Sequence, residues 1–161
     1  MTEQNQGKEW TDRWKEGRTG FHQADFNDIL LEHWPRLVPD SNGRVFVPLC
    51  GKSHDMNWLH QRGHSVVGVE FVEMACVAFF EEQGLPYRRQ TRANHVRFVG
   101  EGPADGLTLL WADLFSLTQG DIGPVDAWYD RAAIVALPPQ FRAPYADWMD
   151  RALPEDVVGL M

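Results

Sequence analysis

The 161-residue sequence has no apolar run close to the roughly 18 residues of a membrane span, and its polar N-terminus has no signal-peptide core. It holds only two cysteines, Cys50 and Cys76, which we expect to be free thiols in an unexported chain. A formal net charge of −8 with scattered basic residues argues against a nucleic-acid surface. We therefore expect a single cytoplasmic domain that binds neither nucleic acid nor membrane.

Several catalytic motifs are also missing. The sequence has neither a Ser-His-Asp set nor a Gly-x-Ser-x-Gly turn, and their absence argues against a hydrolase. His60 and His64 have the spacing of metal ligands, but Gly63 interrupts the helix between them and no carboxylate or cysteine cluster completes a site. We expect no metal, and no residue stands out as an obligatory acid or base.

What the chain does contain is a central β-α-β pattern over residues 44–70. A short apolar run rich in β-branched residues is followed by a turn, an amphipathic segment closed by Gly63, and a second apolar run that ends in Glu70. Such runs on either side of a helix predict two parallel strands, and ligands of parallel sheets bind beyond the carboxyl ends of the strands. Leu49, Gly51 and Glu70 fall at those ends, which predicts a nucleotide-type site; an ordinary β-α-β unit with a surface glutamate is the alternative.

The residue types at this site favour a nucleoside without a phosphate bridge. Gly51 lets the backbone approach a ligand, and an ionised Glu70 accepts hydrogen bonds from both hydroxyls of a ribose. A P-loop would need a glycine where Phe46 stands, and a dinucleotide fingerprint would need three glycines in this turn. S-adenosylmethionine is the cofactor that these features suggest.

Aromatic and acidic residues elsewhere leave two questions open. Trp10 and Trp14 lie four residues apart, so on a helix they share a face that either packs on the sheet or, with Phe21, covers a cationic sulfonium. Asp113 follows an apolar run; it either receives an adenine amino group or caps the next turn.

The remaining segments follow their hydrophobic patterns. We predict helices over residues 25–37, 71–83 and 140–153, with Pro144 kinking the last helix or delaying its start. Residues 95–99 and 108–112 predict a hairpin, residues 125–129 a strand, and residues 88–93 a polar connection. The apolar run at 157–161 predicts the beginning of a central strand.

Four motifs together resemble the thiopurine S-methyltransferase family, especially its bacterial members. The motifs are WTDRWKEGRTGFHQ (10–23), VFVPLCGK (45–52), RGHSVVGVE (62–70) and YDRAAIVALPP (129–139). The resemblance implies an α/β fold, a Rossmann-like class I methyltransferase sheet that is mostly parallel with helices on both faces. It also implies one methyltransferase domain over residues 1–161, with a cofactor-covering segment at 1–43, a core at 44–161, and the family's C-terminal strands missing from this chain.

The resemblance also assigns residues. Trp10, Leu49, Glu70 and Arg131 match positions that contact S-adenosylmethionine in the family, and the turn after the first strand adds Gly51. Asp113 and Leu114 match the adenine-side pair. Phe21 matches a substrate-side aromatic, and we place Trp14 beside it.

The implied function is methyl transfer from S-adenosylmethionine to a thiopurine or another aromatic thiol, or to a selenium or tellurium compound, as in selenite and tellurite detoxification. S-adenosylhomocysteine would be the product, and we expect a monomer. Two alternatives stay open: a nucleotide-binding module without catalysis, and a nicotinamide-dependent reductase, which the single-glycine turn disfavours.

Overall fold

A computed structural model describes residues 3–20, 22–40 and 42–161. The strands are β1 (Arg44–Val47), β2 (Ser65–Glu70), β3 (Tyr87–Thr91), β4 (Val96–Gly100), β5 (Leu107–Trp111), β6 (Ala127–Tyr129) and β7 (Val158–Leu160). The helices are α1 (Glu3–Lys15), α2 (Asp28–Leu37), α3 (His54–Gln61), α4 (Glu73–Glu82), α5 (Gln119–Ile122), α6 (Ala133–Ala136) and α7 (Pro139–Ala152).

The strands form one seven-stranded sheet in the order β3-β4-β5-β2-β1-β6-β7. The five strands from β5 to β7 in that order run parallel, and β4 pairs antiparallel with both β3 and β5. The parallel β1-α3-β2 unit and the antiparallel β4-β5 pair confirm the sequence predictions for these segments. A mostly parallel sheet places the β1, β2 and β6 carboxyl ends along one edge, where a ligand site is expected.

Helices cover both faces of the sheet. The side chains of a strand alternate between its faces, and here apolar side chains point to both of them. Val45 and Val47 join a core cluster with α2, α3 and α4, whereas Phe46, between them, packs with α7 on the other face. Such two-sided burial explains why β1 and β2 are almost continuously apolar in sequence. The predicted α/β sheet with helices on both faces is confirmed.

Two details differ from the predictions, and the terminal segment forms the predicted strand. Residues 88–93, taken as a polar connection, lie mostly in β3; its edge position leaves its side chains exposed or half-buried, so no apolar run marks it. Helix α7 begins at Pro139 and continues through Pro144. The terminal apolar run forms β7, which pairs with β6 alone and is therefore an edge strand among the described residues.

One buried carboxylate joins the N-terminal segment to the sheet. Asn27 caps α2 by accepting the backbone N–H groups of Ile29 and Leu30. Its own N–H donates to Asp55 Oδ1 at 2.8 Å, while the Tyr129 hydroxyl donates to Asp55 Oδ2 at 2.9 Å. The beginnings of α2 and α3 and the end of β6 are thereby held together.

Among the described helices, none combines the length and the apolar character needed to cross a bilayer.

Candidate functional site

A cavity of about 450 Å³ lies beyond the carboxyl ends of β1, β2 and β6. Its walls come from α1, from the chain between α1 and α2, from the loops after β1 and β2, and from the segment after β6. The lining residues are Trp10, Trp14, His22, Gln23, Asn27, Leu49, Cys50, Gly51, Lys52, Ser53, Glu70, Phe71, Arg131, Ala132, Ala133, Ala136 and Leu137. Five of the predicted cofactor residues and Trp14 therefore share one cavity.

Glu70 links the two strand ends that the sequence pattern singled out. Its Oε2 accepts the Gly51 N–H at 2.8 Å and its Oε1 accepts the Val72 N–H at 2.8 Å. Burial raises the pKa of the Glu70 carboxyl above its ordinary value, and the backbone hydrogen bonds from Val72, Gly51 and Phe71 oppose that shift. Each carboxylate oxygen has a second lone pair, so Glu70 can still accept hydroxyl groups from the cavity.

Two non-glycine residues at the site have left-handed backbone. Leu49 has a φ of 46° in the loop after β1, and Ala132 has a φ of 65° in the loop after β6. Both line the cavity. Backbone held in this region by a non-glycine residue is strained, and such strain clusters at binding sites.

Left-handed backbone, and not crowding by protein atoms, favours glycine at position 51. Its φ is +55°, and a Cβ added there would lie 3.7 Å from Trp14 Cζ2, an ordinary contact distance. The left-handed conformation therefore favours glycine here, and in it the Gly51 N–H donates to Glu70. That glycine also lets a ligand approach the backbone stays a prediction.

Trp10 and Trp14 pack against the start of α4 and also line the cavity; that they cover a sulfonium stays a prediction. Trp14 is 7% exposed and packs with Val72, Ala75 and Trp10, which fastens α1 over the start of α4. The Lys52 ammonium lies 5.9 Å from the centre of the Trp14 ring. Phe21, the predicted substrate-side aromatic, lies outside the described residues.

The end of β6 carries two adjacent charged residues with different positions. Arg131 lines the cavity, whereas Asp130 is 1% exposed and lies behind its wall. The Asp130 carboxylate accepts the Ala133 N–H and the Tyr145 hydroxyl, each at 2.6 Å. Burial raises the pKa of Asp130, opposed by these hydrogen bonds.

The adenine-side pair lies apart from this cavity. Asp113 lines a second cavity of about 630 Å³, which shares Phe71 with the first one. Its side chain accepts the Phe115 N–H at 3.0 Å, so it does cap the following turn, the alternative that the sequence had left open. Leu114 is 3% exposed and packs in the core beneath.

Several lining residues had no predicted role. His22 and Lys52 stood in the quoted motifs without a role, and Phe71 was placed inside a helix although it lies in the loop before α4. Cys50 also lines the cavity, but burial holds the pKa of its thiol well above the ordinary value, so it stays protonated. In the sequence, the only sign that Phe71 and Cys50 would line the cavity was their position next to a predicted strand end.

His60 and His64, whose spacing had suggested metal ligands, each contact other groups of the protein. The Trp34 indole N–H donates to His64 Nε2 at 3.2 Å, so His64 Nδ1 carries the proton and donates to the Gly43 carbonyl at 3.1 Å. His60 Nε2 contacts the Asp105 carbonyl at 2.7 Å. In the described ranges no three or more histidine, cysteine or acidic residues group as metal ligands.

The sheet order and the cavity at the strand ends define a Rossmann-like class I methyltransferase fold. A TehB-like SAM-dependent methyltransferase from Corynebacterium glutamicum has a TM-score of 0.55 at 14% identity, covering 95% of this chain and 70% of that one. The DhpI–SAM–HEP complex gives a TM-score of 0.57 at 13% identity, covering 96% and 63%. At these identities the likeness concerns the fold.

The chain belongs to the thiopurine S-methyltransferase family, whose model matches residues 5–161. A thiopurine S-methyltransferase of Stutzerimonas stutzeri is 46% identical over 148 residues, which cover 91% of this chain and 60% of that protein. One of Methylococcus capsulatus is 47% identical over 146 residues, covering 91% and 64%. The chain thus spans 60–64% of the length of these curated relatives.

Proposed function

We propose that the protein transfers the methyl group of S-adenosylmethionine to a thiol, with thiopurines and other aromatic thiols as its acceptor class. The observation that carries this proposal is the pair of 2.8 Å hydrogen bonds that Glu70 accepts from Gly51 and Val72 in the cavity wall. They fix an acceptor-only side chain at the tip of β2 beside the left-handed bend after β1. Relatives at 46–47% identity bear the name thiopurine S-methyltransferase, which supports the acceptor class.

The residues present fit such a cofactor. Glu70 has lone pairs for the ribose hydroxyls, Trp10 and Trp14 offer aromatic faces to a sulfonium, and Arg131 offers a cation to a carboxylate. Phe71 lines both cavities, and Asp113 in the second one would offer an acceptor to an adenine amino group. When bound, S-adenosylmethionine would supply a methyl group already activated by its positive sulfur.

The chain's own contribution would be alignment and exclusion of water. A thiolate is already a good nucleophile, so holding it in line with the methyl group is the main requirement. Well-oriented reactants in a desolvated site gain about 7–11 kcal/mol from alignment. An apolar cavity wall that includes Leu49 and Leu137 suits soft acceptors, which extends the proposal to selenium and tellurium compounds.

Calorimetric titration with S-adenosylmethionine, S-adenosylhomocysteine and NADH tests the cofactor. We expect the first two to bind; binding of NADH alone would replace the methyltransferase with a reductase. A methyl-transfer panel with a thiopurine, selenite and tellurite then tests the acceptor. Cofactor binding without any transfer would identify a nucleotide-binding module. Monomeric state and cytoplasmic location stay predictions.

A further inference from the structure

His22 occupies a position in the cavity that the proposed function has not used. Its side chain is half-buried in the wall, after α1. Its backbone N–H donates to the Thr19 carbonyl at 2.8 Å, which closes a turn and sets the direction of the chain. The imidazole ring lies against His54 at the start of α3, with ring centres 5.2 Å apart.

The charges around His22 keep its ring neutral. Burial lowers its pKa first, and the positive charges of Lys52, His54 and Arg131 lower it further, while Glu82 opposes them. The Lys52 ammonium is paired with Glu82 at 2.7 Å and stays at the cavity wall. The ring therefore presents an unprotonated nitrogen at neutral pH, among cations that favour a neighbouring anion.

The other titratable groups of the described cavity wall are unsuited to accept a proton. Cys50 is a buried thiol that stays protonated, and Lys52 and Arg131 are cations. Glu70 already receives two backbone N–H groups and is the proposed ribose acceptor. Asp130 lies behind the wall, bonded to Tyr145.

We propose that His22 is the base that removes the proton from a thiol acceptor in this cavity, an inference that rests on the proposed function. The S–H bond breaks, the sulfur keeps the electron pair, and the proton forms an N–H bond on the imidazole. The resulting thiolate lies beside Lys52 and Arg131, which stabilise its charge. The imidazolium, destabilised by the same cations, returns its proton to water.

The proposal makes acceptor acidity the deciding variable. A thiol with a pKa above the assay pH is mostly protonated and needs a base, whereas an acidic aromatic thiol or a selenol is ionised in solution. His22 therefore extends the range of acceptors to weakly acidic thiols. It is dispensable for acceptors that arrive as anions.

The test compares wild type with His22→Asn on a series of thiols of decreasing acidity at pH 7. We expect kcat/KM to fall on the order of 10²-fold for the least acidic thiol and to change little for thiols ionised at that pH. His33→Asn, on the exposed face of α2, is the matched control and leaves the whole series unchanged. The dissociation constant for S-adenosylmethionine, measured calorimetrically, is unchanged by His22→Asn.

A second readout needs no turnover. A chromophoric aromatic thiol with a pKa slightly above the solution pH is added to the protein with S-adenosylhomocysteine, and thiolate absorbance is recorded against pH. Wild type shifts the ionisation of the bound thiol to lower pH, and His22→Asn loses part of that shift.

The outcomes separate the two proposals. Equal losses across the acceptor series, with unchanged ionisation of the bound thiol, would show that His22 is only a packing residue. Loss of cofactor binding in His22→Asn would also overturn the inference. Absence of cofactor binding and transfer in wild type would overturn the proposed function itself, and the inference with it.

Discussion

Glu70 and Asp130 occupy equivalent places in two different strands, yet the structure uses them differently. Each is an acid at or just beyond the carboxyl end of a parallel strand, each is buried, and each accepts a backbone N–H from the following loop. The two acids differ in the partner of their second carboxylate oxygen. Glu70 binds Gly51 across the sheet and faces the cavity, whereas Asp130 binds the Tyr145 hydroxyl of α7 and faces the core.

The comparison teaches that a strand-end acid is a ligand-binding candidate only when its remaining lone pairs reach open space. Asp130 fixes the loop that carries Arg131 and the left-handed Ala132, so it supports the site without entering it. Glu70 does both: it orders the bend after β1 and is itself part of the wall. Four predictions test this division, from the largest expected effect to the smallest.

Asp130→Ala would remove the support from the loop after β6. It leaves the Tyr145 hydroxyl and the Ala133 N–H buried without their acceptor, so we expect the free energy of unfolding to fall by about 3 kcal/mol. Urea unfolding measures it, with the exposed Asp150→Ala on α7 as the matched control. A loss well below 1 kcal/mol would mean that Asp130 is not a structural acceptor.

Glu70→Ala tests the part of Glu70 in cofactor binding. The proposed ribose contact is lost, so we expect S-adenosylmethionine to bind about tenfold more weakly or worse, measured calorimetrically on folded protein. Glu81→Ala, on the exposed face of α4, should leave the affinity unchanged. An unaltered dissociation constant in Glu70→Ala would remove Glu70 from the cofactor site.

Gly51→Ala tests the bend that Glu70 holds. Because a Cβ has room there, only the left-handed backbone is penalised, and we expect a loss of about 1 kcal/mol in unfolding free energy. Gly120→Ala in α5 has no positive φ and should be neutral or stabilising. Equal stability of both variants would show that the loop relaxes without strain.

The pH dependence of stability gives the smallest effect. The folded-state pKa of Glu70 is raised above its ordinary value of 4.5, so its favourable contribution is complete below that value and is lost as pH rises through the folded pKa. Glu70→Gln cannot ionise. The unfolding free energy of Glu70→Gln relative to wild type should therefore increase as pH rises from 4 through the acid range in urea titrations. A difference that is flat or decreases with pH would contradict the raised pKa.

Features of the fold that depend on local sequence patterns could be predicted, and features that depend on contacts between distant segments could not. The β1-α3-β2 unit was predictable because buried parallel strands need continuous apolar runs, and Glu70 was predictable because it ends such a run. Strand β3 was missed because an edge strand exposes polar side chains. That Asp113 caps the following turn is known only from its hydrogen bond with Phe115, and its contact with an adenine amino group stays a prediction.

Long-range partners were beyond sequence patterns. Nothing in the order of residues indicates that Tyr145 would bond Asp130, that Trp34 would bond His64, or that His22 would meet His54. These pairs depend on how helices settle on the sheet, which side-chain packing decides. Hydrophobic periodicity specifies which face of a helix is buried and leaves its partners open.

The shared acceptor Asp55 has a mechanical consequence. Asp55 accepts hydrogen bonds from both the Asn27 N–H and the Tyr129 hydroxyl. These bonds attach the chain that follows α1 to the sheet at Asn27. A displacement of Trp10 and Trp14 that keeps these two hydrogen bonds would leave the start of α2 fixed to β6.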